Sequence, residues 1–110
     1  MRIGQLSEQF FVSGQIEPEH VAKLAEQGFK TIVNNRPDGE ELGQPTSAEI
    51  EAAATAHGLD YVYLPVPSGA VTLQNVEDFS KIWTDLKAPV LLYCRSGARC
   101  SMLWQLACEQ

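Results

Sequence analysis

Nothing in this 110-residue chain reads as a membrane segment or a secretion signal. No apolar run approaches the ~18 residues that a span requires. The opening Met1-Arg2-Ile3-Gly4-Gln5 has no apolar core of the kind signal peptides carry. A cytoplasmic protein with no membrane partner is therefore expected. Histidine is scarce, with only His20 and His57, and both read as surface helix residues. Cysteine is scarce too, and Cys94, Cys100 and Cys108 all lie near the end of the sequence. An odd number of cysteines without a leader argues against a disulfide framework. Their spacing, with so few histidines, argues against zinc. No metal and no other cofactor is expected. Positive charge is in deficit: eight Lys and Arg against fourteen Asp and Glu leave a formal charge of −6. That balance argues against nucleic acid as a partner.

What is present is a core. Apolar residues make up 45% of the chain, enough for one packed interior at this length. With no repeat, low-complexity stretch or composition break, residues 1–110 read as a single domain. Phe10–Ser13, Lys30–Asn35, Tyr61–Val66 and Pro89–Tyr93 are strand-like runs bounded by turn residues. Val21, Leu24 and Ala25 follow Pro18 at helical spacing, and Gly28 closes that helix. Thr46-Ser-Ala-Glu49 is a capping-box pattern opening a helix that ends at His57-Gly58. Leu73, Val76, Phe79, Trp83 and Leu86 mark one face of a third helix, and Met102, Leu103, Leu106 and Ala107 mark a last one. Trp83 and Trp104 fall on these helices as core or partner-surface residues. Strands alternating with helices predict a three-layer α/β/α fold with a mostly parallel central sheet. Pro89–Tyr93, apolar on both faces, is its central strand. The segment from Pro37 to Pro45 is the one long polar connection, and it is expected to be partly mobile.

In such a sheet the ligand site lies beyond the carboxyl ends of the strands. Cys94 sits there, opening Cys94-Arg-Ser-Gly-Ala-Arg99 between the central strand and the last helix. The helix N-terminus, the turn's free N–H groups and the Arg99 guanidinium all favour a thiolate. Gly97 lets successive N–H groups of Arg95, Ser96 and Ala98 turn inward as an oxyanion nest. Arg99 can grip two oxygens as a fork. The competing reading is a small buried thiol that only packs, but the glycine three residues on and the arginine five residues on favour chemistry. Arg36, after an earlier strand, is a second candidate for substrate contact, with a salt bridge inside the Pro37–Pro45 loop as its alternative. The partner implied is a small anionic substrate or a phosphoprotein.

Four segments carry a family resemblance: Phe11–Gln15, Gly28–Arg36, Tyr63–Val66 and Val90–Arg99. Together they resemble the phosphatase-like domain of bacterial β-lactamase-hydrolase-like proteins, which is similar to dual-specificity phosphatases. The resemblance spans nearly the whole chain. It implies a dual-specificity-phosphatase-like fold, Cys94 as nucleophile through a phosphocysteine, and Arg99 as the phosphate-binding arginine.

The chain departs from that pattern in three places. Cys94 and Arg99 enclose four residues where such phosphatases have five. Tyr93 stands where they have histidine. Pro67-Ser68-Gly69-Ala70 stands where their general-acid aspartate follows a strand. An unassisted leaving group costs on the order of 10² to 10⁴ in rate. Asp38 is the candidate replacement acid, with Glu40 and Glu41 beside it; solvated loop charges are the competing reading. A four-residue ring is the length found in rhodaneses, whose cysteine carries a persulfide, although their Asp-x-Arg and Gly-His-Ile patterns are missing from the N-terminal half. Three functions stay open at this level: a cysteine-dependent phosphatase-like hydrolase, a rhodanese-like sulfurtransferase, and a weakly catalytic anion-binding or regulatory module. Cys100 is a candidate hydrogen-bond or redox neighbour of Cys94; Cys108 is passive.

Overall fold

Apolar strands and amphipathic helices assemble into one five-stranded sheet covered on both faces. The computed structural model describes residues 2–109. Its strands are β1 (Ile3–Gln5), β2 (Phe10–Ser13), β3 (Thr31–Asn34), β4 (Asp60–Tyr63) and β5 (Val90–Tyr93), in the spatial order β1-β2-β5-β3-β4. The helices are α1 (His20–Glu26), α2 (Ser47–Ala56), α3 (Leu73–Ile82) and α4 (Ala98–Cys108).

Strand β5 is central and buried at every residue. It pairs in parallel with β2 and β3, so that Leu91 stands between Phe11 and Ile32. Alternation splits its side chains between two cores. Val90 and Leu92 join Val33, Val76, Phe79 and Leu103 under α3 and α4. Leu91 and Tyr93 join Ile32, Val21, Leu24 and Ile50 under α1 and α2. Each fully buried side chain of this size contributes roughly 1.5–3 kcal/mol of transfer free energy. The three-layer α/β/α fold with a mostly parallel sheet is the one the sequence predicts.

Thr46 and Glu49 form the expected capping box, each side chain bonding the other's backbone N–H. Thr72 and Asn75 make a second one at the start of α3. The tryptophans pack on each other and on Phe10, with ring centroids 5.1 Å apart for Trp83–Trp104 and 4.4 Å for Phe10–Trp104.

The structure differs from the sequence reading in four respects. The strand expected over Tyr61–Val66 runs from Asp60 to Tyr63 and stops before Pro65, which has no N–H to give a ladder. Ile3–Gln5 forms an antiparallel edge strand on β2, which its two polar or glycine positions concealed. The third helix ends at Ile82 and tightens into a 3₁₀ turn over Trp83–Asp85; its Leu73 is exposed while Val76 and Phe79 are buried. The Pro37–Pro45 loop, expected to be partly mobile, is fastened by side-chain hydrogen bonds: Arg36 donates to Glu40, Gln44 donates to the Pro37 carbonyl, and the Tyr63 hydroxyl accepts from the Asp38 N–H. Among the described residues no helix is long and apolar enough to cross a membrane.

Candidate functional site

The site begins where β5 stops. Cys94 N–H still reaches the Ser13 carbonyl of β2 at 3.4 Å, and the chain then turns into α4. Gly97, at φ +95°, makes that turn. A side chain there would be both strained and crowded, because a β-carbon would lie 3.3 Å from Val12 Cγ2 and 3.4 Å from the Ser13 carbonyl. With φ positive, the Gly97 N–H swings inward and donates to Cys94 Sγ at 3.1 Å.

Cys94 is almost fully buried, which by itself would keep its thiol protonated. Hydrogen bonding reverses that. The Cys100 thiol, a donor at the sulfur, contributes most, and the backbone N–H groups of Cys100, Gly97 and Arg99 add to it. Together they pull the Cys94 thiol down to about 5. Cys100 moves the other way: burial and the Cys94 charge hold it well above the ordinary thiol range, so it remains a donor. The pair divides into one thiolate and one thiol. Cys108 is exposed on the last turn of α4.

Arg99 lies in the first turn of α4, not in the loop before it. Its Nη1 donates to the Val66 carbonyl at 3.0 Å and to Glu40 Oε2 at 2.7 Å, and its Nη2 donates to Glu40 Oε1 at 2.8 Å. Arg99, helped by Arg36, holds the Glu40 carboxyl down at about 2, so Glu40 stays ionised. Glu40 therefore presents no acidic proton in this state.

Arg36 is buried and engaged at all three nitrogens. Its Nε donates to Glu40 at 2.9 Å, Nη1 to Gln15 at 3.0 Å and Nη2 to Glu41 at 3.2 Å. Of the two roles open to Arg36, the structure displays the salt bridge within the loop. Asp38, first candidate for the acid, spends Oδ1 on the Ser47 N–H of α2 at 2.7 Å, and its own N–H donates to Tyr63. A carboxylate at a helix N-terminus is electrostatically favoured there, and this one is turned to α2. Tyr93, in place of histidine, is buried beside Tyr61 and Asp38, and burial pushes its phenol pKa up.

Arg95, Ser96 and Ala98 remain on the outer rim of the turn, exposed. Arg95 lies 3.8 Å from Glu41. A mouth of about 250 Å³ is bounded by Arg36, Glu40, Glu41, Ser68 and Arg95. A larger cleft of about 770 Å³ runs from Arg95, Ser96 and Arg99 over Ala70, Val71 and Met102. Among the described residues no group of three His, Cys, Asp or Glu is placed to hold a metal ion. The sequence reading missed Gln15 and the Val66 carbonyl as supports. Their only signal was membership of the segments that carry the family resemblance.

The sequence model of the phosphatase-like domain of β-lactamase hydrolase-like proteins matches residues 2–110. The chain belongs to this family. β-Lactamase hydrolase-like proteins of Agrobacterium fabrum and Xylella fastidiosa are 35% and 36% identical to it, over 96% and 97% of this chain. The chain spans about a quarter of the length of these relatives (25% of each). A crystallised phosphatase candidate from Neisseria meningitidis superimposes with a TM-score of 0.86 at 37% identity, covering 94% of this chain and 74% of its own. The core catalytic domain of the PP-IP phosphatase SIW14 from S. cerevisiae shares the fold, with a TM-score of 0.66 at 14% identity, over 86% of this chain and 56% of that one. This phosphatase-like domain thus shares its fold with these proteins, and its Cys94–Arg99 turn lies at the carboxyl end of the central strand.

Proposed function

We propose that this domain is a cysteine-dependent phosphatase-like hydrolase acting on a small phosphate ester or a phosphorylated side chain. The observation that supports it most is a buried Cys94 whose pKa is lowered to about 5, with the Gly97 N–H at 3.1 Å from its sulfur. In this reading the thiolate attacks phosphorus, an S–P bond forms, and the P–O bond to the leaving group breaks. Water supplies the leaving group's proton, because the carboxylates around the mouth are ion-paired or bound to α2. A second water then cleaves the S–P bond, releasing phosphate and the thiolate. Turnover of aryl phosphates should be fastest with acidic leaving groups, which need no protonation. Cys94→Ser should abolish it while the fold persists, since a hydroxyl is nearly isosteric but far less acidic. A Cys94→Ser protein that retained most of the parent's activity would overturn the assignment.

A second reading is sulfur transfer, favoured by the four-residue ring and the lack of an available acidic proton. Here the Cys94 thiolate attacks the outer sulfur of thiosulfate, an S–S bond forms and sulfite leaves, needing no proton. A nucleophile such as cyanide then takes the sulfur and regenerates the thiolate. Mass spectrometry after thiosulfate separates the two. A gain of one sulfur on Cys94 without aryl phosphate hydrolysis favours sulfur; hydrolysis without that gain favours phosphate. Anion binding with neither reaction would mark a binding or regulatory module.

A further inference from the structure

Arg99 carries five N–H groups, and three are used away from the cysteine turn. Both Nη1 protons go to Glu40 Oε2 and the Val66 carbonyl, and one Nη2 proton goes to Glu40 Oε1. The Nε proton and the second Nη2 proton are left. In a planar guanidinium these two lie parallel on one edge, which is the fork that a bidentate oxyanion takes. Glu40 therefore occupies the Nη1/Nη2 end of the guanidinium and leaves that edge without a hydrogen-bond partner among the described residues. It is in turn gripped from behind by Arg36, a buried cation tied also to Gln15 and Glu41.

We propose that Glu40 is a positioning residue that holds the Arg99 guanidinium with its Nε/Nη2 edge toward the oxyanion over Cys94, and that Arg36 acts through it. This role rests on the reading of Arg99 as the oxyanion grip, and it applies equally to phosphate and to thiosulfate. It gives the two arginines separate tasks: Arg99 meets the ligand, and Arg36 keeps an ionised carboxylate in place under the loop. A flexible Arg99 would lose side-chain entropy at each binding event; a clamped one has already lost it.

The test is a double-mutant cycle read by titration calorimetry with inorganic phosphate and, separately, thiosulfate. Glu40→Gln keeps the shape but loses the charge, and should weaken phosphate binding by about tenfold, as expected for a charge-assisted bidentate pair. In an Arg99→Lys background, the same change should have little further effect, because an ammonium has no edge to orient. Aryl phosphate turnover, if present, should fall by the same factor for good and poor leaving groups. Tighter phosphate binding in Glu40→Gln would make Glu40 a plug and overturn the role. A loss confined to poor leaving groups would make it a general acid and overturn it too. If Glu40→Gln fails to fold, Glu40→Asp reads the same coupling with the charge retained. Unchanged affinity in a folded Glu40 variant that sits on an intact anion site rejects the proposal alone. A parent protein that binds neither anion rejects the site itself and this role with it.

Discussion

Gly14 and the carbonyl of Arg95 meet with no room for another atom between them. A β-carbon on Gly14 would stand 2.8 Å from that oxygen. The next residue, Gln15, donates its N–H to the same carbonyl at 3.1 Å. The end of β2 thus sets the position of the cysteine turn, although neither residue carries any chemistry.

Gly14→Ala should therefore displace the turn without unfolding the sheet. Overpacking of this kind costs about 1–3 kcal/mol, measurable by chemical denaturation. Phosphate affinity should fall with it, since the nest's N–H groups move off their aim. An alanine variant with parental affinity and stability would show that the turn does not depend on this contact.

The thiolate is open to a pH test. Alkylation of Cys94 by iodoacetamide, a neutral electrophile, should rise with pH around a midpoint of about 5. Cys100→Ala removes the largest cause of the lowering and should move that midpoint up. Stability follows with a defined sign. Cys94's folded pKa lies below its ordinary 9.0, so its contribution is present above that value and is lost as pH falls through about 5. Cys100, shifted upward, contributes below its ordinary value and loses that contribution as pH rises through its folded pKa. Between about pH 5 and 8 the parent should gain stability with pH, and Cys94→Ser should flatten that slope.

Oxyanions should stabilise the folded chain by mass action. Phosphate at a hundred times its Kd adds about 2.7 kcal/mol, a shift of several degrees in Tm. Arg99→Ala should remove most of the shift and Arg99→Lys should restore only part of it, because a point charge cannot replace a fork. A parent Tm insensitive to phosphate, sulfate and vanadate would argue against the cradle.

The ring itself can be changed. One glycine inserted between Gly97 and Arg99 enlarges the turn to five intervening residues. If ring size governs the choice of chemistry, phosphate hydrolysis should rise and sulfur transfer should fall. If the two rates keep their ratio, the surrounding chain governs it.

Much of this molecule was legible in one dimension. The four main strands, the Thr46 capping box and the position of Cys94 at a strand-to-helix junction all follow from local patterns. Each depends on residues within a few positions of one another, where periodicity and capping chemistry operate. The strand β1 was not legible, because Ile3-Gly-Gln5 is too short and too polar to signal without β2 beside it.

The limits are sharpest at the acidic loop. Asp38, Glu40 and Glu41 are near neighbours with similar side chains, and nothing in their sequence ranks them. Folding gives Asp38 to the N-terminus of α2, Glu40 to Arg99 and Arg36, and Glu41 to the outer rim. Arg36 and Arg99 look alike as arginines after strands, yet one is buried among carboxylates and the other stands at the first turn of α4. By itself the sequence determined which groups are candidates to act: a thiol, a glycine free to take positive φ, and a guanidinium at set spacing. Only the tertiary structure decided which charges meet. Ion pairs such as Glu40–Arg99 join residues far apart in the chain, and their geometry is set by how the carboxyl ends of β3 and β5 and the start of α4 converge.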